Sequence, residues 1–241
     1  MSTYKILSDT SCDIPAAVLE QLDVTYVPFH VSFDTVNYLK ELQDITPDEF
    51  YDKINADKLY PKTSLPSVQD YMDAMEPVLK EGKDVFCICL TANFSGSYQS
   101  GVNAANILSE AYPERKFLMF DTMGASLGEG LAVLYAAEWR RQGKSIDECY
   151  AALEALRPRI CQVFTVDSLK HLQRTGRLSN AARILGTVLN IKPILKGNEL
   201  GQIVTAEKVR GSARALKALA ERYDTEVREP EKQIVGIAHA D

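Results

Sequence analysis

Four short segments gather hydroxyls, glycines or cations at spacings that could support chemistry. The run Thr91-Ala92-Asn93-Phe94-Ser95-Gly96-Ser97-Tyr98-Gln99-Ser100 follows an apolar stretch and opens a helical pattern. A hydroxyl and the first-turn N–H groups of a helix converge there, and Gly96 lets a ligand approach the backbone. That geometry suits a carboxylate or a phosphate. The plainer role for Ser95 is that of a helix cap. In Lys62-Thr63-Ser64-Leu65-Pro66-Ser67, Pro66 holds Leu65 extended and Ser67 caps the next helix. Thr63 and Ser64 then lie on a fixed turn with exposed hydroxyls, which read alone is ordinary loop polarity.

The third segment, Asp121-Thr122-Met123-Gly124-Ala125-Ser126-Leu127-Gly128-Glu129-Gly130, contains Gly124-x-Ser126-x-Gly128, the formal pattern of a nucleophile elbow. An elbow serine sits tightly at its strand end, whereas here Asp121 to Gly124 intervene. The catalytic histidine would have to be His239, since His30 lies in an early strand pattern and His171 in a basic helical stretch. A serine hydrolase using Ser126 and His239 is the alternative this pattern leaves open; close packing of a helix rich in small residues is the simpler account. In the fourth segment, Leu169 to Ser179, Gly176 ends a helix and is flanked by Arg174 and Arg177. A basic turn on an acidic chain could dock an acidic partner, or simply supply favourable charge at a helix end. Asp9, Asp13 and Asp121 show no spacing that demands magnesium, and no metal is expected. No P-loop lysine pattern and no complete Gly-x-Gly-x-x-Gly fingerprint appears, so neither ATP nor NAD is indicated.

The elements that must position these segments alternate. Tyr4 to Ser8 reads as a strand; Asp13 then caps a helix with Pro15 in its first turn. Val24 to Phe33 reads as one strand. Thr46-Pro47-Asp48-Glu49 starts a helix, and Ser67 to Glu81 forms another. Val85 to Leu90 is an apolar strand buried on both faces. A helix from Ser95 to Tyr112, a strand from Lys116 to Phe120 and a helix from Ala125 to Gln142 follow. This alternation implies an α/β fold with a mostly parallel sheet covered by helices, and ligands in such sheets bind beyond the carboxyl ends of the strands. Attention therefore falls on Ser8-Asp9-Thr10, Thr91 to Gly96, and Asp121-Thr122. After Gly143 come a helix from Ile146 to Arg157 and a strand from Cys161 to Val166. Further short strands are expected at Pro193-Ile194-Leu195, Gln202-Ile203-Val204 and Gln233 to Ile237, with a helix from Gly211 to Tyr223. This second α/β domain has a mixed or antiparallel sheet. The boundary is placed so that 1–156 form the first domain and 157–241 the second.

The 241 residues carry a formal net charge of -6, which argues against a general nucleic-acid binder. Five cysteines, Cys12, Cys87, Cys89, Cys149 and Cys161, lack zinc spacing and read as reduced thiols. Cys87 and Cys89, one residue apart, are expected on opposite faces of their strand. No signal-peptide pattern and no membrane-length apolar run is present, so a cytoplasmic protein without membrane insertion is expected.

Taken in order, these segments resemble the DegV family of bacterial fatty-acid-binding proteins. The matches are Ser8-Asp9-Thr10 with Asp13, Thr63 to Ser67, Ser95 to Ser100, and Asp121-Thr122 through Ser126, Gly128 and Gly130. They continue with Gly176-Arg177-Leu178-Ser179 and Ile191-Lys192-Pro193-Ile194-Leu195. The resemblance implies a two-domain α/β protein with a long-chain fatty acid, such as palmitate, between the domains. It implies that Thr63 and Ser95 bind the lipid carboxylate, with Ser64, Gly96 and Ser126 as further candidates. It implies no catalysis by the chain itself and no cofactor beyond the bound lipid. Some members present the acid to a separate ATP-using fatty-acid kinase, which would make Arg174 and Arg177 partner contacts. Family members continue past Ile237-Ala238-His239-Ala240-Asp241 to a His-Thr-Gly-Pro-Gly motif, so the chain reads as a C-terminally shortened member. A sixteen-carbon acid offers about 14 methylenes at roughly 0.8 kcal/mol each when buried, against about 1–3 kcal/mol per hydrogen bond. The tail would supply affinity and the hydroxyls orientation.

Overall fold

The computed structural model describes residues 3–57, 60–177 and 190–240. The chain divides into two compact units, one of Met1–Arg159 with Ile237–Asp241 and one of Ile160–Gly236.

In chain order the first unit holds β1 (Tyr4–Asp9), α1 (Ala16–Gln21), β2 (Val24–Val27), β3 (His30–Ser32), β4 (Leu39–Lys40), α2 (Pro47–Asp57), β5 (Lys62–Ser64), α3 (Val68–Lys80), β6 (Asp84–Cys89), α4 (Ser97–Ala111), β7 (Phe117–Asp121), α5 (Leu127–Arg141) and α6 (Ile146–Leu156). Four strands pair in parallel in the order β2-β1-β6-β7. Val85 to Cys89 of β6 are wholly buried, as an apolar strand covered on both faces must be. The chain leaves β1 toward β2 on one side and places β6 and β7 on the other. The winding therefore reverses between β1 and β6, and a crevice belongs at their carboxyl ends. On one face Tyr71, Met75 and Leu79 of α3 and Ala104 and Leu108 of α4 pack against Leu7, Val85, Cys87 and Cys89.

Three expectations need correction here. Val24 to Phe33 is not one strand: β2 joins the parallel sheet, while β3 belongs to a separate antiparallel sheet ordered β4-β3-β5. Pro28, which has no N–H to give a ladder, stands between them. Asp13 does not cap α1. It takes a left-handed conformation (φ 52°) at the end of the 3-10 turn Thr10–Cys12, whose cap is Asp9, and Pro15 precedes α1. Cys87 and Cys89 share a face, with sulfurs 3.5 Å apart, because side chains two positions apart along a strand point the same way. All five cysteines are free thiols, and all but Cys161 are buried.

The second unit contains β8 (Val163–Thr165), α7 (Lys170–Arg174), β9 (Ile191–Gly197), β10 (Ile203–Arg210) and α8 (Ser212–Glu226). Its strands form an antiparallel sheet ordered β10-β9-β8. Ala215 and Ala218 of α8 pack on Ile194. The strand expected from Gln233 to Ile237 does not form. Ile234, Val235 and Ile237 are 50%, 57% and 82% exposed, so the apolar residues that prompted the strand reading are not buried against a sheet. No helix among the described residues is long and apolar enough to cross a membrane.

Candidate functional site

The carboxyl ends of β1, β6 and β7 carry the three loops that the sheet topology singles out. The last two are tied together. The Thr91 N–H donates to the Gly124 carbonyl at 2.9 Å. The Asp121 carboxylate accepts from the N–H groups of Ala92 (3.2 Å) and Met123 (2.8 Å). Buried Thr122 donates its hydroxyl proton to the Cys89 carbonyl at 2.8 Å. Arg157 fixes the end of β7, donating to the Asp121 carbonyl at 3.0 Å while lying over the Phe120 ring.

Ser95 and Gly96 stand at the positive end of the fifteen-residue helix α4. Gly96, not Ser95, is the cap residue, so the helix starts two residues later than the hydroxyl pattern suggests. The Ser95 hydroxyl accepts from the Ser97 N–H at 3.2 Å. Ser95 is half-buried and Gly96 exposed.

Thr63 and Ser64 arrive by another route. They lie on β5, with Thr63 opposite Val31 and Ser64 opposite His30. Ser67 caps α3 in a capping box with Asp70, and Lys40 pairs with the same carboxylate at 3.2 Å. Both hydroxyl residues are exposed. The next side chain, Leu65, reaches Gly96: a Cβ placed on Gly96 would meet Leu65 Cδ2 at 3.4 Å. The fold thus sets the Thr63–Leu65 segment beside the Ser95–Gly96 turn.

Ser126 precedes α5 with φ 53° and ψ -138°, a strained backbone for a serine. Its hydroxyl faces the Asp13 carboxyl, whose pKa burial raises and the Ser126 hydroxyl lowers. The sharp turn of a nucleophile elbow is therefore present, but the serine faces a carboxyl group rather than an imidazole. His239 is exposed.

Behind these loops sequence reading singled out Asp9 without its partners and gave Glu129 no role of its own. Asp9 and Glu129 are wholly buried. Asp9 accepts from the Ser97 hydroxyl at 2.8 Å, and Tyr71 and Ser97 share a hydrogen bond of the same length. Glu129 accepts from Ser8 at 2.9 Å. Burial raises both acids' pKa values, opposed at Asp9 by bonds from Ser11 and Ser97, and reinforced at Glu129 by the Asp9 charge. Among the described residues no group of three or more His, Cys, Asp or Glu side chains is placed to hold a metal ion. A surface hollow lined by Tyr4, Arg140, Ser145 and Glu148 lies by the start of β1, the opposite edge of the sheet from these loops.

In the second unit, Gly176 (φ 73°) closes the turn after α7. Arg177 donates to the Thr175 carbonyl at 2.8 Å, and Arg174 is exposed. Leu178 and Ser179 lie outside the described residues.

The family model described as "Uncharacterised protein, DegV family" matches residues 3–241. A DegV domain-containing protein of Clostridium perfringens is 34% identical over 242 residues, covering 100% of this chain and 83% of that relative. A stearic-acid-binding protein of Eubacterium ventriosum superposes with a TM-score of 0.84 at 33% identity, over 92% of this chain and 78% of its own. A fatty acid binding DegV family protein of Streptococcus agalactiae gives 0.80 at 34% identity, over 93% and 78%. The parallel sheet at the heart of the first unit and the antiparallel sheet of the second match these structures. With a family match from residue 3 to the last residue, and a relative 34% identical along the whole chain, the protein belongs to the DegV family.

Proposed function

We propose that this protein binds one long-chain fatty acid of about palmitate length, holds its carboxylate with Thr63 and Ser95, and does no chemistry on the lipid by itself. Ser64, Gly96 and Ser126 border the same site. The observation that carries the reading is the contact of Leu65 with Gly96, which sets two hydroxyl-bearing segments side by side at the positive end of α4. A carboxylate without a nearby lysine or arginine needs such donors to leave water. The stearic-acid-binding relative of Eubacterium ventriosum and the fatty-acid-binding relative of Streptococcus agalactiae support the ligand class.

The protein then serves fatty-acid metabolism in the cytoplasm, presenting its lipid to an ATP-using fatty-acid kinase. Free thiols at all five cysteines fit a reducing compartment. Exposed Arg174 and half-buried Arg177, beside the Gly176 turn, supply a basic surface for that partner. Denaturing mass spectrometry of lipid extracted from the purified protein tests the binding reading. Stoichiometric fatty acid in wild type, sharply reduced in Thr63→Ala/Ser95→Ala, is the expected outcome. A wild-type protein that holds no lipid and takes none up on addition would overturn it.

A further inference from the structure

Behind the Ser95–Gly96 turn the two buried carboxyl groups differ in their donors. Asp9 ends β1 at the point where the sheet reverses its winding. Its Oδ2 accepts from Ser97 Oγ at 2.8 Å, with the Leu90 N–H and the Tyr71 hydroxyl each at 3.4 Å. Its Oδ1 accepts from the Ser11 N–H at 3.2 Å and also meets the Ser11 hydroxyl. Glu129, in the first turn of α5, meets hydroxyls: Ser8 at Oε1 (2.9 Å) and Ser11 at Oε2 (2.8 Å).

Ser11 Oγ therefore touches both acids, and a hydroxyl has one proton to give. With both acids ionised, one of those contacts would oppose two oxygens in a dry interior. Both contacts close when one acid is protonated and donates to Ser11 Oγ, whose own hydroxyl donates a hydrogen bond to the other. Backbone N–H groups reach Asp9 and favour the anion there, which leaves the proton on Glu129. The far side is compatible, because the one Tyr71 proton can serve the nearer Ser97 Oγ (2.8 Å) rather than Asp9 Oδ2 (3.4 Å), which leaves Ser97 free to donate to Asp9. The titratable groups facing this pair are Tyr71 from α3, Cys87 and Cys89 from β6, Cys12 from the 3-10 turn, and Glu41 after β4, with Asp13 and Tyr51 beyond. None of these is a cation.

We infer that Asp9 is the positioning residue of the Ser95–Gly96 turn, acting through Ser97, and that Glu129 holds a proton at neutral pH so that the pair carries one negative charge. The Ser97 N–H meets Ser95 Oγ at 3.2 Å while its hydroxyl is anchored on Asp9. The start of α4 is thereby held in the geometry that an incoming carboxylate meets. A second anion buried behind that helix end would weaken its attraction for the ligand. The positioning half rests on the carboxylate-site reading of the preceding subsection; the proton half does not.

Infrared spectroscopy of the lipid-free protein at neutral pH, paired with fatty-acid titrations, separates the two. A buried protonated-carboxyl stretch is expected in wild type, lost in Glu129→Gln and retained in Ser97→Ala. Affinity for a sixteen-carbon acid should fall on the order of tenfold in both Asp9→Asn and Ser97→Ala, in proteins with native circular dichroism. Absence of the stretch from wild type, or its survival in Glu129→Gln, overturns the proton placement. Wild-type affinity in Ser97→Ala overturns the positioning role. If Ser95→Ala alone binds as tightly as wild type, the carboxylate-site reading fails and takes the positioning role with it, while the infrared result still decides the proton.

Discussion

Leu65 Cδ2 stands 3.4 Å from the point a Cβ on Gly96 would occupy, and this contact joins the two segments proposed to hold the ligand. Gly96 has φ -73°, which any residue adopts, so the glycine serves access rather than backbone freedom. Leu65 is 38% exposed and can give way. Gly96→Ala should therefore fold with a stability within about 0.5 kcal/mol of wild type, yet bind fatty acid on the order of tenfold more weakly, about 1.4 kcal/mol. Urea unfolding and fluorescent-fatty-acid displacement measure the two quantities. Equal losses in both would mean that the glycine is structural.

Gly130 presents the opposite case. A Cβ there would lie 2.5 Å from the Cys12 backbone carbonyl and 3.3 Å from Ile14 Cγ1. At Gly101 the nearest atom, Met119 Cε at 2.6 Å, is the tip of a flexible side chain. Backbone cannot retreat as a methionine methyl can. Gly130→Ala should cost about 1–3 kcal/mol of overpacking strain, clearly more than Gly101→Ala, as read from paired denaturant midpoints. The reverse order would show that the 3-10 turn yields more readily than the core around Met119.

Strand β6 and the capped starts of α2 and α3 were legible in the sequence because their signals are local: an unbroken apolar run, and caps followed three residues later by an acid. The carboxyl-edge loops were legible through topology and, for the loops after β6 and β7, through their gathered hydroxyls and glycines. Residues that meet across the chain were not. Ser97 finds Asp9 from 88 positions away and Glu129 finds Ser8 from 121. Asp9 stood out by its place at a strand's carboxyl end and in the family pattern, but not by its partners, and Glu129 read as one acid among small helix residues, since a sequence does not show which polar side chain turns inward. The split between β2 and β3 was marked by Pro28, whose missing N–H outweighs the β-branched and aromatic residues around it. The run from Gln233 to Ile237 misled because strand-like composition needs a partner and a face to bury, and it has neither among the described residues.

Ser126 carries a backbone strain that glycine would not, at φ 53° and ψ -138°. Ser126→Gly relieves the strain and Ser126→Ala keeps it, while both remove the hydroxyl that faces Asp13. The glycine variant should exceed the alanine variant in stability by about 1 kcal/mol or more, a difference thermal unfolding resolves. Equal stabilities would mean that the turn relaxes around any residue. The same proteins test the hydrolase alternative: nitrophenyl-ester hydrolysis should stay at the solvent rate in wild type. Turnover that Ser126→Ala abolishes would restore the serine-hydrolase reading.

Glu129 gives the fold a pH dependence of definite sign. Burial, and then the Asp9 charge, hold its carboxyl well above its ordinary 4.5. Between the ordinary and the raised value the folded protein binds more protons than the unfolded chain, so stability falls as pH rises. The contribution is complete below about pH 4.5 and is lost as pH climbs through the folded value. Glu129→Gln keeps a donor for Ser11 and removes the titration. The variant should therefore gain on wild type with rising pH, by at most about 1.4 kcal/mol per pH unit. Exposed acids whose pKa values are lowered by hydrogen bonds, such as Asp34, Glu49 and Glu148, act in the opposite direction. They are common to both proteins and cancel in the difference. Urea unfolding of the pair at a series of pH values from mildly acidic upward measures that difference directly. A wild type that gains on Glu129→Gln as pH rises would place a charged, stabilised carboxylate at Glu129 and move the shared proton to Asp9.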